Sequence, residues 1–350
     1  MRVIRRVLAA GLVLALAACT DAAPETTRTP SASGQTYAVL TSGRLLLVTG
    51  DTVTFTLDGD FAGGVDSMAW TGDGRYLVLA SGADRAERTL SILDGHDGRA
   101  RTIPCPDCQD PVGLPGSRVV VADSQRGLSI VDAERGELSK IPSQLPFHSL
   151  GLRVLDAADD RVLVAGADTD MVAPSGGPED MYEVRLSGET TPLGSTEANA
   201  PVRARLGPDG KLAIVMGFHG GACAQGSAVQ VRPGGTWLDP PTVPIREADG
   251  LGATLGPYAA YSDVWWAPDG RLHALARAWK CTDRGDTTTV PEDPPVLALA
   301  LDATGWTILP QAPASHVVVE RWRDGTLTVL RDGTPMKIGD DTIAVTLRPA

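Results

Sequence analysis

The chain has 350 residues and a formal net charge of −12, from 31 basic and 43 acidic residues. This acidic balance disfavours nucleic acids and anionic membrane surfaces as partners, because like charges repel. Gly and Pro are abundant, with 39 and 26 residues. This composition is typical of a fold with many short strands and turns.

The N-terminus has the pattern of an export signal. Three arginines within residues 1–6 precede an apolar run over residues 7–18, which is too short for a membrane-spanning helix but fits a signal-peptide core. The run ends in Leu-Ala-Ala-Cys19, which resembles a bacterial lipobox. The resemblance implies cleavage before Cys19, lipidation of this cysteine and a membrane lipoprotein on the extracytoplasmic face of the cell membrane. A plain secretory peptide cut after an alanine is the alternative.

The next segment, residues 19–35, is expected to be the lipidated Cys19 followed by a flexible tether. Residues 20–35 contain no aromatic and no large aliphatic side chain. Such a segment buries too little apolar surface to offset the entropy lost on ordering. Loss of residues 1–18 would leave 28 basic and 43 acidic residues, a net charge of −15. This charge favours solubility more than any particular ligand.

A hairpin pattern recurs through the rest of the chain, in which an Asp-Gly turn joins two apolar runs. Asp-Gly suits a type I′ turn, whose two central residues both have positive φ. Four copies of the pattern are present, at 70–80, 206–215, 266–275 and 322–330. Repetition of this kind predicts an all-β protein, a β-propeller over residues 36–350. The tryptophans that begin three copies are expected to pack between blades.

The spacing of the turns predicts seven blades, with six as the alternative. The turns lie near Gly43, Gly74, Ser117, Asp160, Gly210, Gly270 and Gly325. Most steps between them match a four-stranded blade. The first step is short, so the first unit is expected to be either a partial blade or a source of strands that close the ring against the last unit.

The core of the repeat, Trp/Leu-x-Pro-Asp-Gly-Lys/Arg-Leu at 206–212 and 266–272, resembles the WD-like propeller repeats of TolB-type exported proteins. The match is specific for propeller architecture. The resemblance implies a non-catalytic binding platform located in the cell envelope.

Four cysteines remain beside Cys19. Cys105 and Cys108 form a Cys-x-x-Cys pair in a Pro-rich link, without the helix that lowers a redox-active thiol pKa. A structural disulfide is therefore expected there, with a zinc half-site or a redox site as alternatives. Cys223 and Cys281 follow the second strands of adjacent units, so a bridge between them is also predicted.

The search for catalytic motifs is negative. The sequence has no Gly-x-Ser-x-Gly motif, no phosphate-binding loop and no His pair with metal spacing. No catalytic residue, metal or cofactor is therefore predicted. Alignment of the units on their hairpins places a mixed set of charged and polar residues at the mouth of the central channel. The candidate binding residues are Asp66, Ser67, Asp110, Arg153, Arg203, Asp263 and His316.

Two functions fit these observations. The first is a lipid-anchored propeller that binds a protein or glycan at the cell envelope without catalysis. The second is an extracytoplasmic propeller enzyme of hydrolase, lyase or lactonase type, with its site at the channel mouth. The second predicts several acidic or histidine side chains with perturbed pKa values converging there. A small-molecule ligand fits either function, and a nucleic acid fits neither.

Overall fold

The structure is a computed structural model. It describes residues 27–28, 36–41, 43–50, 52–59, 61, 68–81, 88–123, 127–146, 151–167, 177–196, 200–219, 225–241, 253–283, 288–289, 296–310, 318–321, 327–331, 334–339 and 342–349. The predicted signal peptide and Cys19 lie outside these residues.

The described residues are dominated by β-strands, with one 3-10 turn at Pro208–Gly210. The strands are Thr27–Arg28 (β1), Thr36–Thr41 (β2), Arg44–Thr49 (β3), Thr52–Asp58 (β4), Met68–Trp70 (β5), Tyr76–Ser81 (β6), Thr89–Asp94 (β7), Ala100–Pro104 (β8), Gln109–Leu114 (β9), Arg118–Asp123 (β10), Gly127–Asp132 (β11), Glu137–Lys140 (β12), Arg153–Ala158 (β13), Arg161–Gly166 (β14), Asp180–Arg185 (β15), Thr190–Ser195 (β16), Pro201–Leu206 (β17), Leu212–His219 (β18), Gln225–Arg232 (β19), Trp237–Leu238 (β20), Ala253–Trp266 (β21), Leu272–Asp283 (β22), Thr288–Thr289 (β23), Val296–Asp302 (β24), Gly305–Leu309 (β25), Val318–Arg321 (β26), Leu327–Arg331 (β27), Thr334–Gly339 (β28) and Thr342–Leu347 (β29).

These strands form seven antiparallel sheets among the described residues, which we number in chain order. Sheet 1 has the order β1-β4-β3-β2-β29, and sheets 2 to 5 have β5 to β8, β9 to β12, β13 to β16 and β17 to β20. Sheet 6 has the order β21-β22-β24-β25, with β23 paired to β22, and sheet 7 has β26-β27-β28. The seven sheets match the seven hairpin units that the spacing predicts.

The sheets are arranged in a ring. The strands β5, β9, β13, β17, β21, β26 and β29 each contact the next of this series, and β29 also contacts β5. We call these seven the inner strands, because each forms one edge of its sheet and faces the next inner strand. The all-β architecture is therefore the predicted β-propeller.

The C-terminal strand closes the ring. β29 pairs with β2 of sheet 1, with Val345 opposite Val39, and takes the inner position there. The first hairpin turn, at Gly43, therefore lies between the second and third strands of its sheet, whereas Gly74 lies between the first and second. This shift explains the short first step in the sequence spacing.

The Asp-Gly turns differ from one another. At Asp209 and Gly210 both residues have positive φ, 56° and 73°, as the sequence predicts. At Gly74 and Gly270 only the glycine has positive φ, 65° and 77°, and its N–H donates to the carbonyl three residues earlier. These two are wider loops built around a type I turn, so the type I′ prediction is wrong for them.

Apolar packing between sheets supplies the core. Trp70 of β5 is 3% exposed, and its Nε1 donates to the Thr346 carbonyl of β29 at 3.4 Å. Trp266 repeats the arrangement between β21 and β17, donating to the Arg205 carbonyl at 3.3 Å. Both tryptophans therefore pack between neighbouring sheets. The Trp266 ring lies so close to Gly207 that a Cβ there would be 2.4 Å from Cε2.

Two residues of the segment 19–35 are described, and they form a short strand. Thr27 and Arg28 make up β1, which pairs with Thr56 and Phe55 of β4. The unpaired backbone groups on the outer edge of β4 make this pairing favourable. The flexible tether over residues 19–35 stays a prediction. Within the part of the chain that the structure describes, no helix is long and apolar enough to cross a bilayer.

Candidate functional site on the inner strands

The predicted binding residues divide into two groups. Asp66, Ser67 and His316 lie outside the described residues, so their placement at the channel mouth stays a prediction. The other four lie on four successive inner strands, which are β9, β13, β17 and β21. In order they are Asp110, Arg153, Arg203 and Asp263.

The start of β13 carries an arginine that forms an ion pair within its own sheet and a hydrogen bond to the next sheet. The Arg153 Nη2 atom lies 2.7 Å from Oε2 of Glu179, which precedes β15 in the same sheet. The same nitrogen donates to the Pro201 carbonyl of β17 at 2.9 Å. Glu179 is 9% exposed. Arg153 is therefore held between sheets 4 and 5 by its own charge and by a backbone acceptor.

A second charged group lies further along the inner strands. The Arg205 Nη2 atom of β17 is 3.5 Å from Oδ1 of Asp263 on β21. On the other side, the backbone N–H of Leu206 donates to Oδ2 of Asp156 on β13 at 2.7 Å. Three successive sheets thus bring two carboxylates and one guanidinium together. We call Asp156, Arg205 and Asp263 the inner triad.

Burial changes the acidity of one member of the inner triad. Desolvation raises the pKa of Asp156, and the nearby Asp263 charge adds to this increase. The Arg205 charge and the hydrogen bond from Leu206 lower the pKa, but they do not outweigh the desolvation. Asp156 is therefore the kind of carboxyl group that can hold a proton more readily than an exposed aspartate.

Arg203 is a cation without a partner among the described residues of this region. It is half-buried on β17, two residues before Arg205 and therefore on the same face of the strand. No residue that the structure describes forms a hydrogen bond or ion pair with its guanidinium. Its neighbour Val202 is 53% exposed. Among the described residues, the start of β17 thus carries a half-buried guanidinium without a partner, and the preceding residue is an accessible apolar one.

Asp110 is held in a strained backbone conformation, with φ of 50°. The adjacent Gln109 donates from Nε2 to the Leu152 carbonyl, just before β13, at 2.9 Å. The start of β9 is thereby fixed against sheet 4. Asp110 itself is not a member of the inner triad, whose residues lie on β13, β17 and β21.

The sequence-based alignment does not identify Asp156 and Arg205. The alignment selects one residue in each unit. Arg203 and Asp263, for example, each lie three residues before the end of their inner strand. The register of β13 with β14 shifts between Val154 and Asp156, which disturbs that alignment. Asp156 and Arg205 could have been predicted from a different pattern, a charged residue flanked by apolar residues on an inner strand.

The two cysteines of the Cys-x-x-Cys pair form a disulfide bond between sheets 2 and 3, with Cα atoms 5.5 Å apart. They pack with buried side chains of both sheets. Cys223 lies outside the described residues, and the backbone of Cys281 lies in β22. The bridge between those two stays a prediction. A metal ion could be held by Cys105, Cys108 and Asp123, whose ligand atoms lie within 4.8 Å of one another.

No family model and no curated protein matches this sequence. Among solved structures, the chain is similar to the β-propeller domain of the Trilobed protease from Pyrococcus furiosus, with 11% identity, a TM-score of 0.51, and coverage of 91% of this chain and 98% of that one. It is also similar to TolB from Acinetobacter baumannii, with 13% identity over 90% of this chain and 66% of that one and a TM-score of 0.47. A dihydro-heme d1 dehydrogenase matches at 16% identity over 91% of this chain and 77% of that one, with a TM-score of 0.47.

The fold and the site define the class of this protein. It is an all-β propeller whose inner strands carry charged side chains contributed by successive sheets. The likeness to the Pyrococcus domain extends to the fold alone, since the identity is 11%.

Proposed function

We propose that this chain is a seven-bladed, non-catalytic binding propeller, in which each sheet is one blade. It binds a protein partner at the inner strands of sheets 4 to 6 and is held on the extracytoplasmic face of the cell membrane by lipid on Cys19. The observation that carries the binding site is Arg203, whose guanidinium has no partner among the described residues. A half-buried cation without a partner among the described residues would be stabilised by an anionic group of a bound protein.

Two features favour an acidic protein partner over a glycan. The exposed Val202 precedes Arg203 at the start of β17, where the register with β18 shifts between Pro201 and Arg203, so a partner that covers this strand end can meet both the guanidinium and an apolar side chain. Arginine surrounded by apolar surface is a frequent centre of protein interfaces. Two other described arginines of this region are already paired, Arg153 with Glu179 and Arg205 with Asp263. Charged groups that are already paired can orient a bound partner, but they are less suited to acid–base catalysis.

The binding proposal is tested by calorimetric titration of the full chain with four probes. The probes are an acidic peptide with apolar residues, a basic peptide, a glucuronate-containing oligosaccharide and a neutral oligosaccharide. We expect the acidic peptide to bind, and its affinity to fall at least tenfold in Arg203→Ala. The control variant is Arg271→Ala, because Arg271 is an exposed arginine already paired with Asp269 at 2.6 Å.

The alternatives give different results in the same titration. Binding of the glucuronate oligosaccharide alone would favour a glycan partner at the same guanidinium. Equal loss of affinity in Arg203→Ala and Arg271→Ala would contradict a site at the inner strands. Absence of binding by all four probes would also count against an acidic peptide as the recognised class.

The lipid anchor is a separate part of the proposal. In cells fed a labelled fatty acid, the full chain should take up label and sediment with membranes. Cys19→Ser should lose both properties, whereas Thr20→Ser, its neighbour, should keep them. A labelled Cys19→Ser chain would contradict lipidation at this residue.

The second candidate function is a hydrolase or lactonase, and the inner triad is the observation that favours it. Asp156 has a raised pKa, and a group that holds its proton can act as a general acid. Hydrolysis of model lactones or aryl glycosides should then occur and should be lost in Asp156→Asn. If activity were absent in the unmodified chain, binding would be the only supported function.

A further inference from the structure

The link between sheets 2 and 3 holds a cluster of metal-ligating atoms that the binding function does not use. Cys105 follows β8 and Cys108 precedes β9. They are 2% and 0% exposed, and they pack against buried residues of β6, β7 and β10. Two sulfur atoms are therefore fixed inside the contact between the two sheets.

A carboxylate from a different strand reaches the same place. Asp123 is the last residue of β10 and is 3% exposed. β10 runs antiparallel to β9, with Ala122 opposite Gln109, so its end lies beside the residue that follows Cys108. The sulfur atoms and a carboxylate oxygen consequently lie within 4.8 Å of one another. Asp123 is 15 residues beyond Cys108 in sequence, and only the pairing of β9 with β10 unites them.

We propose that Cys105, Cys108 and Asp123 form a binding site for a divalent ion of zinc type when the disulfide is reduced. A dithiol reductant supplies two electrons and becomes a disulfide itself, its two protons passing to the sulfur atoms of Cys105 and Cys108. The ion then displaces these two protons, and each sulfur binds it as a thiolate. The two steps need no other oxidant or reductant.

The chemistry of the three groups fits such an ion. A Cys-x-x-Cys pair is the spacing at which two thiolates commonly bind one zinc ion, and aspartate is a further known ligand. A carboxylate can supply both oxygen atoms, which completes four ligands without water. This matters because all three side chains are buried. Two thiolates and a carboxylate buried together would repel one another, and a divalent cation relieves this repulsion.

The link between sheets 2 and 3 would then be cross-linked in two alternative ways. In the oxidised state the disulfide joins Cys105 to Cys108, and in the reduced state the ion joins both cysteines to Asp123 of β10. The metal-bound state therefore connects the link to the neighbouring strand, which the disulfide does not. Metal binding in the reduced chain should raise its midpoint of thermal unfolding.

The test is a Co²⁺ titration of the full chain carrying Cys19→Ser, Cys223→Ser and Cys281→Ser, so that only the two cysteines of the site remain. After reduction by a dithiol and its removal without air, we expect one Co²⁺ per chain with a thiolate-to-cobalt charge-transfer band. Zn²⁺ should displace the cobalt and abolish the band. The oxidised chain should show no band.

Two variants separate the site from adventitious thiol binding. Cys105→Ser should lose the band. Asp123→Asn should weaken the affinity by at least the roughly tenfold that loss of even an outer-shell group costs. Unchanged affinity in Asp123→Asn, or a band in the oxidised chain, would overturn the proposal.

A second measurement uses the chain without substitutions at the site, in case Asp123→Asn does not fold. Zn²⁺ should protect Cys105 and Cys108 of the reduced chain from alkylation, as located by mass spectrometry. Protection that is absent with Zn²⁺ present would overturn the proposal. Because no step involves Arg203, failure here leaves the binding function untouched.

Discussion

Two aspartates at contacts between neighbouring sheets have pKa values that are shifted in opposite directions. Between sheets 2 and 3, Asp73 accepts hydrogen bonds from Ser117 Oγ at 2.5 Å and from Thr71 Oγ1 at 2.6 Å. Between sheets 4 and 5, Asp156 accepts the backbone N–H of Leu206. Burial raises the pKa of both carboxyls, but the hydrogen bonds from Ser117, Thr71 and the Arg75 N–H outweigh it at Asp73 and lower that pKa.

The two aspartates distinguish charges that are satisfied within the chain from charges that are desolvated on an inner strand. Asp73 lies in an exposed turn and is satisfied within the chain, as is Arg75, which lies 3.3 Å from Glu134 of sheet 3. Asp156 lies on an inner strand, where desolvation dominates its pKa. The satisfied turn contributes stability, whereas the inner strands carry a desolvated carboxyl group and, among the described residues, a guanidinium without a partner, which is where we propose that a protein binds.

The largest expected effect concerns the apolar part of the contact between sheets. Trp70→Ala should lower the free energy of unfolding by about 3–5 kcal/mol, the usual cost of removing a buried tryptophan. Trp237→Ala is the matched control, because Trp237 is 38% exposed, and it should change stability far less. Urea denaturation followed by circular dichroism measures both. Equal losses would contradict the role of Trp70 between sheets 1 and 2.

A smaller loss of stability is expected from adding a side chain at Gly207, which lies against the Trp266 ring. Gly207→Ala should cost about 1–3 kcal/mol, the typical penalty of overpacking, because its Cβ would meet the Trp266 ring. Gly43→Ala is the control, since nothing lies within 4 Å of a Cβ there. The thermal unfolding midpoint should fall for the first variant and stay for the second.

Reduction of the Cys105–Cys108 disulfide should cost about 2 kcal/mol, as the chain-entropy model gives for so short a closed loop. Denaturation with and without a dithiol, in the presence of a chelator, measures this loss. The double variant Cys105→Ala/Cys108→Ala should no longer respond to the dithiol. A persisting response would assign the effect to another cysteine pair.

The smallest effects are pH-dependent and have opposite signs for the two aspartates. The pKa of Asp73 lies below the ordinary aspartate value of 3.8, so the stabilisation from its hydrogen bonds is present above that pH and is lost as pH falls through the folded-state pKa. The pKa of Asp156 is raised, so its ionisation costs stability at neutral pH, and this cost disappears as pH falls towards 3.8.

Asparagine variants make this comparison measurable. Asp73→Asn should destabilise the chain at pH 7 by about 1 kcal/mol, the net value of a hydrogen bond, and the difference should vanish in acid. Asp156→Asn should stabilise the chain at pH 7, with a gain that also vanishes in acid. Urea midpoints between pH 3 and 7 measure both, and changes of the same sign would contradict the account of Asp156.

The fold could be predicted from local patterns because each Asp-Gly turn with its two apolar runs is one hairpin of one sheet. Closure by β29 could not be located this way, since the pairing of Val39 with Val345 joins the two ends of the chain. The same limit applies to the site. Arg203 and Asp263 follow from alignment of the hairpins, whereas Asp156 reaches Leu206 only across the contact between two sheets.

The central claim is that the start of β17 is a surface for a protein partner, and photo-crosslinking in living cells tests it most directly. A benzophenone amino acid replaces Val202 in the full chain, or replaces Val53, which is 40% exposed on β4, as the matched control. We predict a protein adduct at position 202 that disappears with Arg203→Ala, and none at position 53. Equal adducts at both positions, or no adduct at position 202, would contradict the claim.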